Sequence, residues 1–480
     1  MEELIAESSV RAWDHDTDVL VAGFGCAGAS AAIEAAAAGA RTLVVERASG
    51  AGGTSGLSGG VIYCGGGTAI QKACGFADRP EDMFAYLQAS TGIAPNTDKL
   101  QLYCEESVAH FDWLVRLGVP FKPSFWPHYF EPYTDDCLFF SGCENAHPYP
   151  EIARPAPRGH TVQATGSCTG GRPLMAVLET VARRAGAEVL FDSAVKALIR
   201  AADGRVVGAA IRRDGRLEYL RARRGVVLTT GGFIMNREMV ARYAPQLLPL
   251  GALGNPWDDG TGIRLGQLAG GDAVNMHAGM YPCAILQPPE LVQGILINGR
   301  GQRFINEDVN HKRIGEQSVL HQQGRMYLLV DSEVFREPSL ARPAVIASGN
   351  SIAEVEAEMG LPEGVLQATV TFYNRFAAEG RDPLFGKHRK FLKPLTAAPF
   401  GVFDCSVGKV DVYRAMTLGG LRTTPDGAVL SAAGDPLPGL FAAGRATSGL
   451  SAQSCAGSGA QLGEGTYFGR RAGRGAARSN

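Results

Sequence analysis

The chain has 480 residues, 45% of them apolar and 20% charged, which suits a large core and more than one domain and excludes a disordered chain. Its 46 basic and 48 acidic residues leave a formal charge of −2, so nothing draws it generally to nucleic acid or to an anionic membrane. No stretch approaches the ~18 consecutive apolar residues of a membrane span, and the ten cysteines form no CxxC pair, so neither a metal site nor a c-type haem is expected.

The first residues, MEELIAESSVRAWDHD, are acidic and lack an apolar core. No secretory signal is expected, and the chain reads as a reduced, cytoplasmic protein. Asp18 to Ala22 is a β-prone apolar run, followed by GFGCAGAS, an Ala-rich helical stretch to Ala38 and a stop at Gly39. A second apolar run, Thr42–Val45, ends at Glu46. Together they make a strand, Gly-loop, helix, strand unit. Thr97 to Leu117 reads as helical, and residues 119–160, rich in proline and aromatics, as an irregular excursion over a pocket. A helix at Arg172–Arg184 leads into a strand at Glu188–Phe191. A hairpin-like pair at Val206–Ile211 and Glu218–Ala222 follows, then a strand at Gly225–Thr230. Between about Tyr281 and Pro399 the composition changes: ILINGRGQRFINE reads as hairpin strands, Ile352–Glu358 and Leu366–Glu379 as helices. Rossmann-like signals resume with GLFAAG at Gly439–Gly444 and a Gly-rich final stretch. The expected fold class is α/β: one nucleotide domain built from residues 1–280 and 401–480, with a second, α+β domain inserted at 281–400.

Gly23, Gly25 and Gly28 form GxGxxG. The first glycine allows the tight turn, the second lets a pyrophosphate reach the backbone, and the third lets helix and strand pack closely. The helix N-terminus then faces phosphate charge, and Glu46 can accept ribose hydroxyls. The run ASGAGGTSGLSGGVIYCGGG after the second strand offers amide and hydroxyl donors to a second phosphate and a flavin ring. An NAD domain has no need of it.

ERASGAGGTSGLSGG is similar to the flavin loop of the fumarate reductase, succinate dehydrogenase and 3-ketosteroid dehydrogenase superfamily. Further matches are TTGGF (Thr229–Phe233), DDGTGIRLGQLAGG (Asp258–Gly271), GQRFINE (Gly301–Glu307), TLGGL (Thr417–Leu421) and GLFAAG. They span nearly the whole chain in family order. The resemblance implies that the inserted domain at 281–400 caps the substrate, and implies FAD, held at Gly23, Gly25, Cys26, Ala27, Gly28, Glu46 and Arg47, and along Gly52, Gly53, Thr54, Ser55, Ser58, Gly59 and Gly60. It extends to Val195, Thr230, Gly231, Gly232, Asp259, Gly444, Arg445, Gly459 and Leu462. Residues 50–67 hold no histidine, where covalently flavinylated relatives carry their linkage, so the FAD is expected to be dissociable. A single GxGxxG leaves electrons to an external carrier such as a quinone.

In the dicarboxylate branch, histidine and arginine side chains clamp two carboxylates. The matching positions here are His311, Met416 and Gln461, so a fumarate or succinate enzyme is not expected. The 3-ketosteroid dehydrogenase branch holds the ketone oxygen with a tyrosine and a glycine amide in a YxGxG-like turn. This chain reads CAGSG at Cys455–Gly459, keeping Gly459 and leaving Ser454 or Ser458 to replace the hydroxyl. The branch's catalytic tyrosine falls on His311, whose ordinary pKa near ~6.5 suits proton abstraction. Tyr63 and Tyr413 are further candidates. Trp113, Phe125, Trp126, Tyr129, Phe130 and Tyr133 can line an apolar pocket or be ordinary core and surface aromatics, His147 is read as a loop histidine, and Cys455 as small-residue packing. The expected reaction is the desaturation α,β to a ketone, in a 3-ketosteroid or a smaller cyclic ketone such as a cyclohexanone. The alternatives are an enone or enoate reductase fed by an external donor, and a flavin-binding protein without catalysis.

Overall fold

The computed structural model describes residues 2–93, 96–128, 131–164, 166, 169–451 and 453–479. The β-prone run around Val19–Ala22 is the middle of a nine-stranded sheet. The strand His15–Ala22 pairs in parallel with Thr42–Val45 on one side and with the end of Arg216–Leu228 on the other. Glu188–Leu190 extends the parallel set beyond Thr42–Val45, and Pro436–Ala442 extends it beyond Val226–Leu228. Val19, Leu20, Val21 and Ala22 are buried on both faces, the pattern of a parallel strand covered on both sides.

The helix Cys26–Ala37 follows the glycine loop, and the helix Ala460–Arg478 lies across it. Gly465, Gly469 and Gly473 recur every fourth residue on the second helix. A Cβ on Gly465 would stand 2.9 Å from Cys26 Sγ, and on Gly469 or Gly473 it would collide with the carbonyls of Ala27 and Ala31. The Gly-rich ending is a 19-residue helix. Gly469 and Gly473 let two helix backbones meet.

The second unit carries a four-stranded antiparallel sheet ordered Ile295–Ile297, Tyr327–Asp331, Phe400–Asp404, Val345–Gly349. The expected hairpin within ILINGRGQRFINE is only a single bridge between Ile297 and Arg303, because Ile295–Ile297 pairs with Tyr327–Leu329 instead. Arg303 is drawn away into buried ion pairs with Glu307 (2.8 Å) and Asp382 (3.0 Å). The helices expected there are Ile352–Glu358 and Val365–Ala378.

Two further boundaries differ from the sequence reading. The segment 97–117 is two helices, Thr97–Glu105 and Ser107–Arg116. The hairpin return and the following strand are one strand, Arg216–Leu228, which changes partner at a register shift between Ala222 and Gly225. The excursion over 119–160 is pinned by Arg158, whose guanidinium meets Asp78 at 2.7 and 3.0 Å with both side chains fully buried. Asp78 also accepts from the Gly66 amide at 2.8 Å, so this pair holds the end of the 50–67 glycine run in place. Among the described residues, no helix is long and apolar enough to cross a membrane.

The crossing of the two Gly/Ala helices makes a direct prediction. Gly473→Val would press a branched side chain onto the Ala31 carbonyl, and overpacking of this kind costs about 1–3 kcal/mol. The urea midpoint should fall accordingly; an unchanged midpoint would show that the helices do not depend on the glycine.

Candidate functional site: a long cavity from the glycine loop to the cap

A cavity of about 540 Å³ runs from the glycine loop to the second unit. At its outer end it is lined by Gly23, Gly25, Cys26, Ala27, Glu46 and Arg47, where the first strand gives way to its helix. Glu46 Oε2 accepts from the Phe24 amide at 2.7 Å and Oε1 from the Ala48 amide at 2.8 Å. Burial raises its carboxyl pKa against the lowering effect of those amides. Arg47 pairs with Asp259 at 2.7 Å and lies 4.2 Å from the Trp257 ring centroid. Burial favours the neutral Asp259 carboxyl, but hydrogen bonds from Thr261 and Arg47 outweigh it and hold the pKa below the ordinary range.

The middle of the cavity is lined by Gly53, Thr54, Ser55, Ser58, Gly59 and Gly60, with Val195, Thr230, Gly231, Gly444 and Arg445 opposite. Asp258 ties the two walls, accepting from Thr54 Oγ1 at 2.7 Å and from Arg445 Nη2 at 2.6 Å. Arg445 Nη1 is buried with no hydrogen-bond partner. A buried guanidinium donor left unmatched on a cavity wall suits an anionic or oxygen-rich ligand. Of the residues expected to hold the cofactor, Gly28, Gly52 and Gly232 do not line the cavity. A Cβ on Gly28 would run into the Gly23 carbonyl, and one on Gly232 would lie 2.5 Å from Thr417 Oγ1. These two glycines allow close packing behind the wall. Gly52 sits one residue before the Gly53 that lines it.

The inner end gathers Val61, Met280, Pro282, Ala284, Met416 and Leu462 with His311, Lys312, Ser458, Gly459 and Gln461. Gly459 has φ of +94° and caps the N-terminus of the helix Ala460–Arg478, a conformation that favours glycine. That end of a helix favours negative charge. His311 begins the helix His311–His321, after the Asn310 cap. Burial and the neighbouring Lys312 charge together hold its imidazole pKa well below the ordinary value. Ser454 is turned away, donating to Glu316 Oε2 at 2.8 Å, so Ser458 is the serine of CAGSG that faces the cavity.

Other candidates lie elsewhere. Tyr63 is buried outside the cavity wall and donates to Glu144 Oε1 at 3.0 Å. Tyr413 meets Ser318 Oγ at 2.8 Å, also away from the cavity. Both phenols are buried, which pushes their pKa up and keeps them protonated, so neither is available as a base. Trp113 stacks with His110, Phe125 packs against Phe76 and Phe140, and Trp126 contacts His128 and Tyr133. The apolar lining at the inner end is Val61, Met280, Pro282, Ala284, Met416 and Leu462 instead; Tyr129 and Phe130 lie outside the described residues. His147 pairs with Glu151 on the surface, and Cys455 packs among Ala278, Met280, Met416 and Leu418. Sequence reasoning missed Lys312, although it directly follows His311, because a lysine at a helix start usually reads as a solvated residue.

Comparison with known proteins agrees with this geometry. The family model described as an FAD binding domain matches residues 18–462, so the chain belongs to this FAD-binding family, within the fumarate reductase and succinate dehydrogenase flavoprotein superfamily. It is 32% identical to the 3-oxo-5-alpha-steroid 4-dehydrogenase of Comamonas testosteroni, over 90% of this chain and 93% of that protein. It is 27% identical to a probable fumarate reductase, Ifc3, of Shewanella frigidimarina, over 96% of this chain and 75% of that protein. Among solved structures, the 3-ketosteroid-delta4-(5alpha)-dehydrogenase of Rhodococcus jostii RHA1, in complex with 4-androstene-3,17-dione, is 44% identical with a TM-score of 0.95, covering 100% of both chains. FAD is the cofactor and the protein is an oxidoreductase. The cavity residues fit that cofactor: a helix N-terminus behind a glycine turn, a terminal acid at Glu46 and the unmatched Arg445 donor.

Replacing Arg445 by Met would remove that donor and strand the buried Asp258 carboxylate. FAD affinity should fall at least about tenfold, equivalent to ~1.4 kcal/mol, read from the fluorescence of released flavin. Undiminished affinity would place Arg445 outside the cofactor's contacts.

Proposed function

We propose that the protein desaturates a cyclic ketone at the α,β position, with 3-ketosteroids as the leading substrate class and smaller cyclohexanones as the next. One observation carries the reading: His311, Ser458 and Gly459 line the same cavity as Val61, Met280, Pro282 and Met416. The positions where dicarboxylate enzymes carry their histidine and C-terminal arginine are Met416 and Gln461, and both face the same space. A neutral ketone suits such a wall, whereas two carboxylates do not. The names of the steroid-dehydrogenase relatives support the same substrate class.

In this reading the Gly459 N–H and the Ser458 hydroxyl receive the ketone oxygen, which makes the α-proton acidic. His311 takes that proton, and the electron pair of the broken C–H bond moves toward the oxygen. FAD, when bound, supplies the acceptor for the hydride that leaves the β-carbon. The apolar wall of Val61, Met280, Pro282 and Met416 excludes water from the reacting carbons. The cofactor is proposed to be held without a covalent bond, and electrons to pass on to an external acceptor of the quinone class. The cap proposed at 281–400 continues through Asp404, because Phe400–Asp404 is a strand of its sheet. Nine free cysteines among the described residues support a reducing, cytoplasmic setting.

Anaerobic mixing with a 3-oxo-5α-steroid or with a 4-substituted cyclohexanone should bleach the yellow absorbance, and succinate should not. Bleaching by neither ketone would overturn the reading. The pH dependence follows from His311: the base works unprotonated, and its pKa lies well below the ordinary value. Turnover should therefore hold steady down to about pH 6.5 and be lost only on further acidification. His311→Ala should retain FAD and lose about 100- to 10,000-fold in kcat, measured by dye-coupled turnover; wild-type turnover in that variant would remove His311 from the chemistry.

A further inference from the structure

Lys312 is 7% exposed, lines the inner end of the cavity, and donates from Nζ to Ser458 Oγ. Among the described residues no carboxylate pairs with it. The next carboxylate along its helix, Glu316, is committed to Arg313 at 2.7 Å and to Ser454 at 2.8 Å. Lys312 is also the second residue of the helix His311–His321, where the positive end of the helix dipole disfavours a cation. A buried ammonium so placed favours negative charge brought to it. The relative position of Lys312 and Ser458 is fixed by a single carbonyl. Ser141 O accepts from the Ser458 amide at 2.7 Å and from Asn310 Nδ2 at 2.9 Å. Asn310 Oδ1 in turn caps the Lys312 amide at 3.0 Å.

We propose that Lys312 and Ser458 form a charge-assisted donor chain aimed at the substrate's ketone oxygen, with Lys312 as the positioning and charging residue and Ser458 as the group that touches substrate. This rests on the ketone reading above. Because Lys312 donates to Ser458 Oγ, the serine's own proton is free to point into the cavity. The ammonium charge behind it strengthens that hydrogen bond as the oxygen gains negative charge. The pair fills the place left by the tyrosine that the ketosteroid branch carries at Cys455. The Cys455 thiol cannot do so, since it lies in an apolar cluster and donates to Gly457 O at 3.1 Å. The inference narrows the substrate: the cavity takes molecules whose reacting oxygen becomes enolate-like, and binds phenols as their anions.

The test uses the FAD-loaded full chain and 4-chlorophenol, whose phenolate mimics an enolate. The parent should bind it as the phenolate, with a charge-transfer absorbance beyond the flavin's own bands. Lys312→Met should weaken that binding at least tenfold and abolish the band while keeping its FAD, and Lys312→Arg should restore part of both. Ser458→Ala breaks the chain without removing the charge and should also lose tenfold or more; it keeps the test decisive if Lys312→Met fails to hold FAD. In ketone turnover the variants should lose kcat with little change in KM. Phenolate binding and absorbance equal to the parent's in either FAD-loaded single variant would overturn the proposal. Lys312-dependent phenolate binding in a protein that no ketone bleaches would instead overturn the ketone reaction and leave the donor chain standing.

Discussion

The site depends on the close crossing of the helices Cys26–Ala37 and Ala460–Arg478. Only where side chains are reduced to hydrogen or a methyl group can two helix backbones meet this closely, and Gly465, Gly469 and Gly473 face Cys26, Ala27 and Ala31 at that crossing. The contact carries the chain's last segment back to its first. It sets the N-terminus of the final helix, with Gly459 and Ser458, into the same cavity as the glycine turn that starts the first helix. Nucleotide binding and the proposed chemistry thus share one packing constraint, and a side chain added at the crossing acts on both.

A second constraint is electrostatic. The outer and middle cavity hold charges in matched pairs, Arg47 with Asp259 and Arg445 with Asp258. The inner end is different, with aliphatic walls, an imidazole held neutral and an ammonium hydrogen-bonded to a serine. Among the described residues the Lys312 ammonium has no carboxylate in ion-pair contact, so its charge is available to one that forms during reaction. Burial first, and the Lys312 charge second, keep His311 neutral, so the cation that favours charge on an incoming oxygen also assists the base.

Much of this was legible in the sequence. The strand, glycine loop, helix and terminal acid at residues 18–46 could be placed because each has a local cause: β-branched runs, a turn that tolerates no side chain, a strand-end carboxylate. His311, Ser458 and Gly459 were found through spacing to family motifs, and the structure brings all three to one cavity. Tyr63 and Tyr413 lie away from the cavity because exposure to a cavity depends on tertiary packing that residue type does not encode. The hairpin of ILINGRGQRFINE was misread because distant partners, Asp382 and the strand Tyr327–Asp331, outcompete local pairing. Lys312 was overlooked since its significance lies in what it lacks, a carboxylate partner, and that is visible only in three dimensions.

The central claim is that the inner cavity draws charge onto a neutral ketone oxygen. A crystal structure of the FAD-loaded protein with 4-androstene-3,17-dione tests it most directly. The account predicts one ketone oxygen within about 3 Å of both the Gly459 nitrogen and Ser458 Oγ, with Lys312 behind the serine and His311 beside the adjacent carbon. A steroid bound with its oxygens away from these donors, or a cavity that refuses it and orders a dicarboxylate against Lys312, would contradict the account.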